Sequence, residues 1–272
     1  MIALTIDQIA HAVAGEARLA GDDTLETLIS GAVDTDSRLI EPGGVFVAKP
    51  GDATDGHLYV DAAVERGAAL AIVERPVEAS VSQIVVPSAV AALADLAREV
   101  VARVKNTGDL RVVGITGSNG KTTTKNLLAR ILEGEGEGET VAPKASFNNE
   151  VGAPLTMLRV SEGTRFLVSE LGASAPGEIA RLAGLVEPDV GVVLMVGMAH
   201  AGGFGGIEAT FHAKSELVQA LRGGGTAVLN ADDARVAAMA PIAAERGARV
   251  RWFGRGIAAT DVRADDVEVT AS

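Results

Sequence analysis

A glycine loop at the start of a predicted helix carries the residues best suited to bind phosphate. The stretch RVVGITGSNGKTTTK, 111–125, runs from an apolar strand through Gly117 and Gly120 into Lys121 and Thr122. The unpaired N–H groups of a helix N-terminus attract an anion, and glycines let the backbone wrap around it. Lys121 would add a positive charge for the outer phosphates, and Thr122 would offer a hydroxyl ligand to Mg²⁺.

This loop departs from the usual phosphate-binding pattern at one position. The strict pattern has a glycine five places before Gly120, and Ile115 stands there. An ordinary glycine-rich turn between a strand and a helix is therefore the alternative. The buried strand before the loop and the helical spacing of apolar residues over 127–132 favour the phosphate site.

Polar residues also follow later apolar strands. Glu170 ends the stretch RFLVSE, where it could hold Mg²⁺ near the loop or could only cap a helix or face solvent. His200 follows the next apolar strand, and a purely structural role is its alternative. Ligands of parallel sheets bind beyond the carboxyl ends of the strands, so we expect both residues near the loop.

Spacing alone is less decisive for two further segments. Lys214, in FHAKSEL, is placed at the start of a helix, where the ordinary interpretation is a solvated lysine. Asn230 and Asp232, in VLNADD, could contact a nucleobase or a ribose, or could only cap a helix that begins near Asp233.

The order of predicted elements is that of an α/β protein. Apolar runs predict strands at 45–48, 70–74, 83–87, 111–116, 140–143, 165–170, 190–196, 226–230 and 250–253. Helical patterns lie between most of them, which predicts a small first α/β domain and then a doubly wound, mainly parallel sheet. The predicted domains are 1–87 and 109–272, with a linking helix and linker over 88–108.

Composition limits the kinds of protein that this chain can be. Its 272 residues are 47% hydrophobic, and the net charge is −12 with a pI of about 4.8, which argues against nucleic acid as a partner. It has no cysteine, which excludes disulfides and thiolate sites and fits a reducing compartment. No signal-like segment opens the chain, and the apolar run 190–199 is too short to span a membrane, so we expect a cytoplasmic protein.

Together, these motifs resemble the Mur ligase family, the ATP-dependent amide ligases of peptidoglycan precursor synthesis. The resemblance covers a phosphate loop, a glutamate segment, a histidine segment, a modified-lysine helix and an adenine segment, in GITGSNGKTTTK, SELGASAPGEIARL, VGMAHAGGFGG, AKSEL and VLNADD. In the first domain, DTDSRLIEPGGVFVAKPGDATDGHLYV resembles the family's uridine-binding module. The resemblance covers nearly the whole chain.

The resemblance also implies a reaction. Within the family, SFNNEVGAPLTML, 146–158, is similar to the branch that joins D-alanyl-D-alanine to UDP-N-acetylmuramoyl-tripeptide. ATP would phosphorylate the tripeptide carboxylate, and the amine of the dipeptide would displace phosphate from the acyl phosphate. The implied cofactors are ATP and Mg²⁺, and we expect a monomer.

Site residues follow from the same resemblance. The implied nucleotide contacts are Gly117, Ser118, Asn119, Gly120, Lys121, Thr122, Thr123, Asn230 and Asp232. The implied metal ligands are Thr122, Glu170, His200 and a carbamylated Lys214, and the catalytic residues are Lys121, His200 and Lys214. The implied substrate contacts are Ser37 and Arg38 at the uridine diphosphate end, with Asn148, Asn149 and Ser174 elsewhere on the precursor. A surface ion pair is the alternative for Arg38.

Departures from the family pattern leave other interpretations open. Met195 stands where the family commonly has Asn, and Ser215 stands where this branch often has Gly after the lysine. The family's third domain is not found before Ser272, so we expect a fragment that binds precursors weakly and does not ligate. The alternatives are the related ligase that adds the third amino acid, a folylpolyglutamate synthase, and a non-catalytic nucleotide-binding module. A dehydrogenase is disfavoured because no acidic residue ends the second strand.

Overall fold

The chain forms two compact units in the computed structural model, which describes residues 1–51, 54–134, 138–143, 149–173, 175–197 and 205–265. Unit 1 comprises Met1–Asp109 and Glu150–Thr164, and unit 2 comprises Leu110–Asn149 and Arg165–Ser272. The domains predicted from the sequence keep residues 150–164 in the second part of the chain, whereas their contacts place them with unit 1.

Unit 1 is a small α/β unit. Its strands are β1 (Leu4–Thr5), β2 (Glu16–Arg18), β3 (Leu28–Ile29), β4 (Val33–Asp34), β5 (Val45–Ala48), β6 (Leu70–Val73) and β7 (Ser82–Val85). Its helices are α1 (Ile6–Ala12), α2 (Val60–Glu65), α3 (Ala89–Thr107) and α5 (Gly152–Met157), and two 3₁₀ turns span Ser37–Leu39 and Gly56–Tyr59. The sheet order is β2-β7-β6-β5-β4, with β2 antiparallel and the other pairings parallel.

Local sequence signals explain the two ends of this unit. Thr5 and Gln8 form a capping box that starts α1. Ser88 caps α3 through the N–H of Ala91, and one face of α3 is buried over its whole length. The segment that returns to unit 1 packs its helix α5 against α3.

Unit 2 is built on a seven-stranded sheet. Its strands are β8 (Arg111–Thr116), β9 (Glu139–Val141), β10 (Thr164–Glu170), β11 (Val190–Val193), β12 (Thr226–Asn230), β13 (Arg249–Gly254) and β14 (Val262–Arg263). Its helices are α4 (Lys121–Gly134), α6 (Glu178–Val186), α7 (Ile207–Gln219), α8 (Ala234–Ala237) and α9 (Ala240–Glu245). The order is β14-β13-β12-β11-β8-β10-β9, and the pairings from β10 through β8, β11, β12 and β13 to β14 are parallel.

The strand β8 lies at the point where the direction of winding reverses. The chain passes from β8 to β9 and β10 on one side and returns to β11 on the other side. Such a reversal opens a crevice at the carboxyl ends of the strands, which is where ligands of these sheets bind. The mainly parallel α/β fold that the sequence predicts is therefore confirmed, and the loop after β8 lies at the switch point.

Two local predictions are wrong. The strand predicted to reach residue 196 ends at Val193, because the N–H of Ser118 bonds to Met195 instead of extending the ladder. Lys214 is not a solvated residue at a helix start. The helix α7 begins at Ile207, directly after Gly206 with a φ of +107°, and Lys214 lies buried in its middle. No helix within the described residues is long and apolar enough to span a membrane.

Candidate functional site

The loop between β8 and α4 has the conformation of an anion-binding turn. Gly120 has a φ of +83°, which glycine adopts without steric cost, and α4 begins at the next residue. A Cβ atom at Gly117 would lie 2.9 Å from the Cβ atom of Leu194, so the close approach of these segments requires glycine. The first N–H groups of α4 are thus presented at the carboxyl end of the sheet.

The side chains of Lys121 and Ser118 both form hydrogen bonds that hold this loop. The ammonium of Lys121 donates to the carbonyl oxygen of Gly117 at 2.9 Å, so its side chain folds back over the loop. The hydroxyl of Ser118 accepts from the N–H of Gly197 at 2.9 Å and lies 3.2 Å from the carbonyl oxygen of the same residue. The side-chain amide of Asn119 lies 4.0 Å from the sulfur of Met195, the residue that departs from the family pattern.

Thr122 and Glu170 meet although 48 residues separate them. The Thr122 hydroxyl donates to Oε2 of Glu170 at 2.9 Å, and Glu170 is only 3% exposed. The end of β10 is fixed by two bonds of Leu171, whose N–H donates to Ile115 and whose carbonyl oxygen accepts from the Thr116 hydroxyl. A predicted pair of metal ligands therefore comes together at the start of α4.

The chemistry of this pair fits Mg²⁺. Magnesium prefers hydroxyl and carboxylate oxygens in octahedral geometry, in which neighbouring ligand oxygens are about 2.9 Å apart. The Thr122 and Glu170 oxygens have that separation. Within the described residues, no group of three or more His, Cys, Asp and Glu side chains could hold a metal alone, so phosphate or water oxygens would complete such a site.

Lys214 is a buried cation near the loop. It is 5% exposed, and burial together with the charge of Lys121 lowers its pKa to about 8. Among the residues that the structure describes, no carboxylate forms an ion pair with Lys214. Two positive groups therefore act on the same region, which favours an anion there.

The segment after β12 is held by internal hydrogen bonds. Asn230 donates to the carbonyl oxygen of Leu194, and Asp232 accepts the N–H groups of Arg255 and Gly256, which lower the pKa of its carboxyl. The cap of α8 is Asp233, whose second oxygen accepts the N–H of Val196. Contacts of Asn230 and Asp232 with a nucleotide stay a prediction.

Unit 1 contains a separate cavity of about 630 Å³ beside the 3₁₀ turn Ser37–Leu39. Ser37 and Arg38 both line it, together with Lys49 and Tyr59, and their contact with a substrate stays a prediction. The Arg38 guanidinium is exposed and forms two hydrogen bonds to Asp36, which holds the pKa of that carboxyl down to about 2. The lining of this cavity thus combines the cationic side chains of Arg38 and Lys49 with the carboxylate of Asp36 and the aromatic rings of Phe46 and Tyr59.

A model of the Mur ligase middle domain matches residues 115–272, and a model described as Mur ligase family, catalytic domain, matches residues 31–107. The chain belongs to the Mur ligase family. The two matches fall on the phosphate loop with its sheet and on the cavity with its surroundings. They agree with the resemblance that the motifs indicate.

Two curated relatives of this Mur ligase chain carry the same name. UDP-N-acetylmuramoyl-tripeptide--D-alanyl-D-alanine ligase from Mycobacterium tuberculosis H37Rv is 44% identical over 92% of this chain and 52% of its own length. The enzyme of that name from Escherichia coli K12 is 35% identical over 100% of this chain and 57% of its own. The chain thus spans about half the length of the curated relatives it matches.

Solved structures of MurF also match this chain. MurF from Acinetobacter baumannii has a TM-score of 0.80 at 34% identity, covering 93% of this chain and 54% of its own. MurF from Thermotoga maritima, solved in complex with ADP, has a TM-score of 0.71 at 34% identity, covering 84% and 51%. UDP-N-acetylmuramoyl-L-alanyl-D-glutamate--2,6-diaminopimelate ligase has a TM-score of 0.55 at 19% identity, which supports the fold alone.

The structure accounts unevenly for the predicted site residues of this Mur ligase chain. It brings together Thr122 with Glu170, and it places Lys121 near Lys214. Asn149 is exposed. Asn148, Ser174 and His200 lie outside the described residues, so their predicted roles stay predictions.

The sequence analysis did not identify two buried residues that lie close to the candidate sites. Buried Lys125 donates to the carbonyl oxygen of Pro143 at 2.6 Å, and buried His57 lies in the 3₁₀ turn whose end residues, Gly56 and Tyr59, line the cavity. A lysine one helical turn after Lys121 and the sequence DGH in the first domain were the available signals, but neither residue type reveals burial by itself.

Proposed function

We propose that this chain forms the nucleotide- and precursor-binding part of an ATP-dependent ligase that joins D-alanyl-D-alanine to UDP-N-acetylmuramoyl-tripeptide in peptidoglycan biosynthesis. The observation that carries the proposal is the contact of Thr122 with Glu170 at the start of α4, at the switch point of the sheet. The name shared by the curated relatives supports the substrates, and the ADP complex of the Thermotoga maritima enzyme supports the nucleotide.

The reaction needs activation because a carboxylate is a poor electrophile. Its oxygen would take the γ-phosphoryl group of ATP, which yields ADP and an acyl phosphate. The amine of D-alanyl-D-alanine would then attack the carbonyl carbon, the C–O bond to phosphate would break, and the amine would lose its proton. Bound Mg²⁺ would neutralise phosphate charge during the transfer.

Lys121 and Thr122 have separate roles in this proposal. Lys121, which folds over the loop, holds the outer phosphates as a point charge. Thr122 and Glu170 present oxygens to Mg²⁺, and His200 is a further proposed ligand. Ser118 holds the loop against Gly197 and so keeps its N–H groups aimed at the phosphates.

Lys214 would act after carbamylation. Carbon dioxide adds to a neutral amine, and a pKa of about 8 leaves roughly one-tenth of the group neutral at pH 7, far more than for an exposed lysine. The product carries a negative charge and two oxygens, which suits a metal ligand beside cationic Lys121. Burial thus prepares this lysine for the modification.

The cavity of unit 1 would take the uridine diphosphate end of the precursor. Arg38 and Lys49 supply positive charge for the diphosphate, and Tyr59 supplies an aromatic surface for the base. Ser37 adds a polar contact. Asn148, Asn149 and Ser174 are proposed to face other parts of the precursor.

Calorimetry with the 272-residue chain tests this proposal. With Mg²⁺ and a non-hydrolysable ATP analogue present, we expect UDP-N-acetylmuramoyl-tripeptide to bind more tightly than the corresponding dipeptide precursor. Lys121→Ala should weaken binding of the analogue at least about tenfold, since it removes a charge-assisted phosphate contact. Arg130→Ala, which removes an exposed charge from the same helix, should leave it unchanged.

Each other result has a distinct meaning. Preference for the dipeptide precursor would assign the chain to the ligase that adds the third amino acid. Equal binding of the analogue to the chain and to Lys121→Ala would remove the phosphate loop from the function. Binding of the analogue without binding of either precursor would favour a nucleotide-binding module.

A further inference from the structure

One wall of the unit 1 cavity is a short turn with little room to move. Gly56 and Tyr59, the first and last residues of the 3₁₀ turn Gly56–Tyr59, line the cavity, as does Thr54, whose hydroxyl lies 3.1 Å from the Tyr59 hydroxyl. The N–H of Gly56 donates to the carbonyl oxygen of Lys49, and a Cβ atom at Gly56 would lie 2.6 Å from that oxygen. The turn therefore sits directly against the backbone of Lys49.

Buried His57 joins this turn to the sheet. It is 5% exposed, and its Nε2 accepts the N–H of Glu74, just beyond β6, at 2.8 Å. Because the backbone N–H can only donate, Nε2 carries a lone pair, and the proton of the neutral ring is on Nδ1. Nδ1 lies 2.6 Å from Oδ1 of Asp55 and donates to it. The two hydrogen bonds fix both the tautomer and the orientation of the ring.

Asp55 and Glu74 extend this connection. Asp55 caps the turn by accepting the N–H of His57, and its other oxygen accepts from Arg75 at 2.6 Å. Its pKa lies far below the usual range because Arg75 and His57 stabilise the carboxylate. The carboxylate of Glu74 accepts the N–H of Ala89 at the start of α3. A continuous network thus runs from the cavity wall to the sheet and to α3.

We propose that His57 is the positioning residue of this cavity: as a neutral imidazole it ties Asp55 to the backbone of Glu74 and so holds the turn that forms the wall. The inference rests on the proposed function for the identity of the ligand, a uridine diphosphate group. The holding of the turn depends only on the described contacts. Loss of the ring nitrogens leaves the partly buried N–H of Glu74 without the acceptor that it has in the wild-type chain, and the turn loses its link to the end of β6.

Hydrogen exchange tests the first half of this inference without any ligand. His57→Phe keeps a ring of similar size and removes both hydrogen bonds. We expect the amides of His57 and Leu58, which bond to Asp55, to exchange at least tenfold faster in this variant. The control is Ser82→Ala, which removes two partly buried hydrogen bonds from the same unit at a residue that does not line the cavity. Unchanged exchange in the turn of His57→Phe would overturn the inference.

Calorimetry with uridine diphosphate tests the second half. His57→Phe should weaken binding about tenfold, and Ser82→Ala should leave it within about twofold, although both variants lose stability. His57→Gln, which keeps a neutral polar side chain, should recover part of the affinity, and it replaces the Phe variant if that variant fails to fold. Equal losses in His57→Phe and Ser82→Ala would show that stability alone is responsible.

The two experiments separate this inference from the proposed function. A folded wild-type chain that does not bind uridine diphosphate would reject the ligand assigned to the cavity. The exchange of the turn would then still decide whether His57 holds the wall. Binding by the wild-type chain with full affinity in His57→Phe would reject the positioning role and keep the ligand.

Discussion

Lys214 and Lys121 place two positive charges close together, and no carboxylate among the described residues forms an ion pair with either. The charge of Lys121 and the loss of hydration both disfavour a second ammonium, and they lower the pKa of Lys214 to about 8. The charged form of Lys214 therefore destabilises the folded state at neutral pH. A buried lysine with a lowered pKa is typical of a functional site, where a ligand or a modification supplies the missing negative charge.

Stability as a function of pH measures this cost. In the folded chain the pKa of Lys214 lies below the unfolded value of 10.5, so the unfolded state binds more protons between about pH 8 and 10.5, and stability rises across that window. Below pH 8 the full penalty is present. We expect Lys214→Met to have a higher free energy of unfolding than wild type at pH 7, by on the order of 2 kcal/mol. Urea denaturation measures this difference.

The difference in the free energy of unfolding between Lys214→Met and wild type should become smaller as the pH rises from 8 to 10.5. The control is Arg130→Met, which removes an exposed charge from α4 and keeps Lys214, so its free energy of unfolding should show the same pH dependence as that of wild type. A difference that stays constant with pH would mean that the gain comes from apolar packing of methionine alone.

Residue-level prediction worked where the signal was local. The glycines shape the backbone locally, and Lys121 and Thr122 follow them directly in the chain, so the loop was predictable from its spacing. The burial of Lys214 was not predictable, because it depends on how α7 packs against α6 and the sheet. The contact of Thr122 with Glu170 depended on strand order, which placed β10 beside β8.

At the scale of elements, α6 and α7 are joined by a cap that one helix supplies to the other. The residue before α6 is Gly177, with a φ of +86° and no side chain that could cap the helix. Glu216 of α7 replaces that cap, since its two carboxylate oxygens accept the N–H groups of Gly177 and Ala180 at 2.7 and 2.8 Å. The helix that carries Lys214 thereby fixes the helix that follows β10.

Glu216→Gln should weaken this joint. Glutamine keeps one acceptor oxygen but turns an amide donor toward a second N–H, so we expect a loss of about 1–2 kcal/mol in urea unfolding. Amides at the start of α6 should exchange faster. The control is Glu208→Gln, which changes an exposed residue in the first turn of α7 and should lower the free energy of unfolding by no more than about 0.5 kcal/mol. Equal losses in the two variants would contradict the cap.

The cap of α6 shows why element boundaries were harder to predict than elements. Strand and helix patterns are periodic and local, and strands such as β5, β8 and β12 lie where the sequence places them. A cap that comes from a residue 39 positions away leaves no local signature. The beginning of α7 was missed because its first turn follows a glycine pair and not a side-chain cap.

At the scale of the whole molecule, the chain crosses between its units three times. It leaves unit 1 after Asp109, returns for Glu150–Thr164 and leaves again at Arg165. The sequence division missed this return because no composition shift marks it. Each unit has its own sheet and its own candidate ligand site, so stabilisation by a ligand should follow the contacts and not the order of residues.

Ligand-induced protection from hydrogen exchange tests whether Glu150–Thr164 is stabilised together with unit 1 or together with unit 2. A ligand at one hundred times its Kd stabilises the unit that binds it by about 2.7 kcal/mol, which slows amides that exchange through unfolding of that unit. Uridine diphosphate should therefore protect α5 together with α3, because the two helices pack against each other. ADP with Mg²⁺ should protect β8 and α4 and leave α5 unchanged. Protection of α5 by the nucleotide, with none from uridine diphosphate, would assign the returning segment to unit 2.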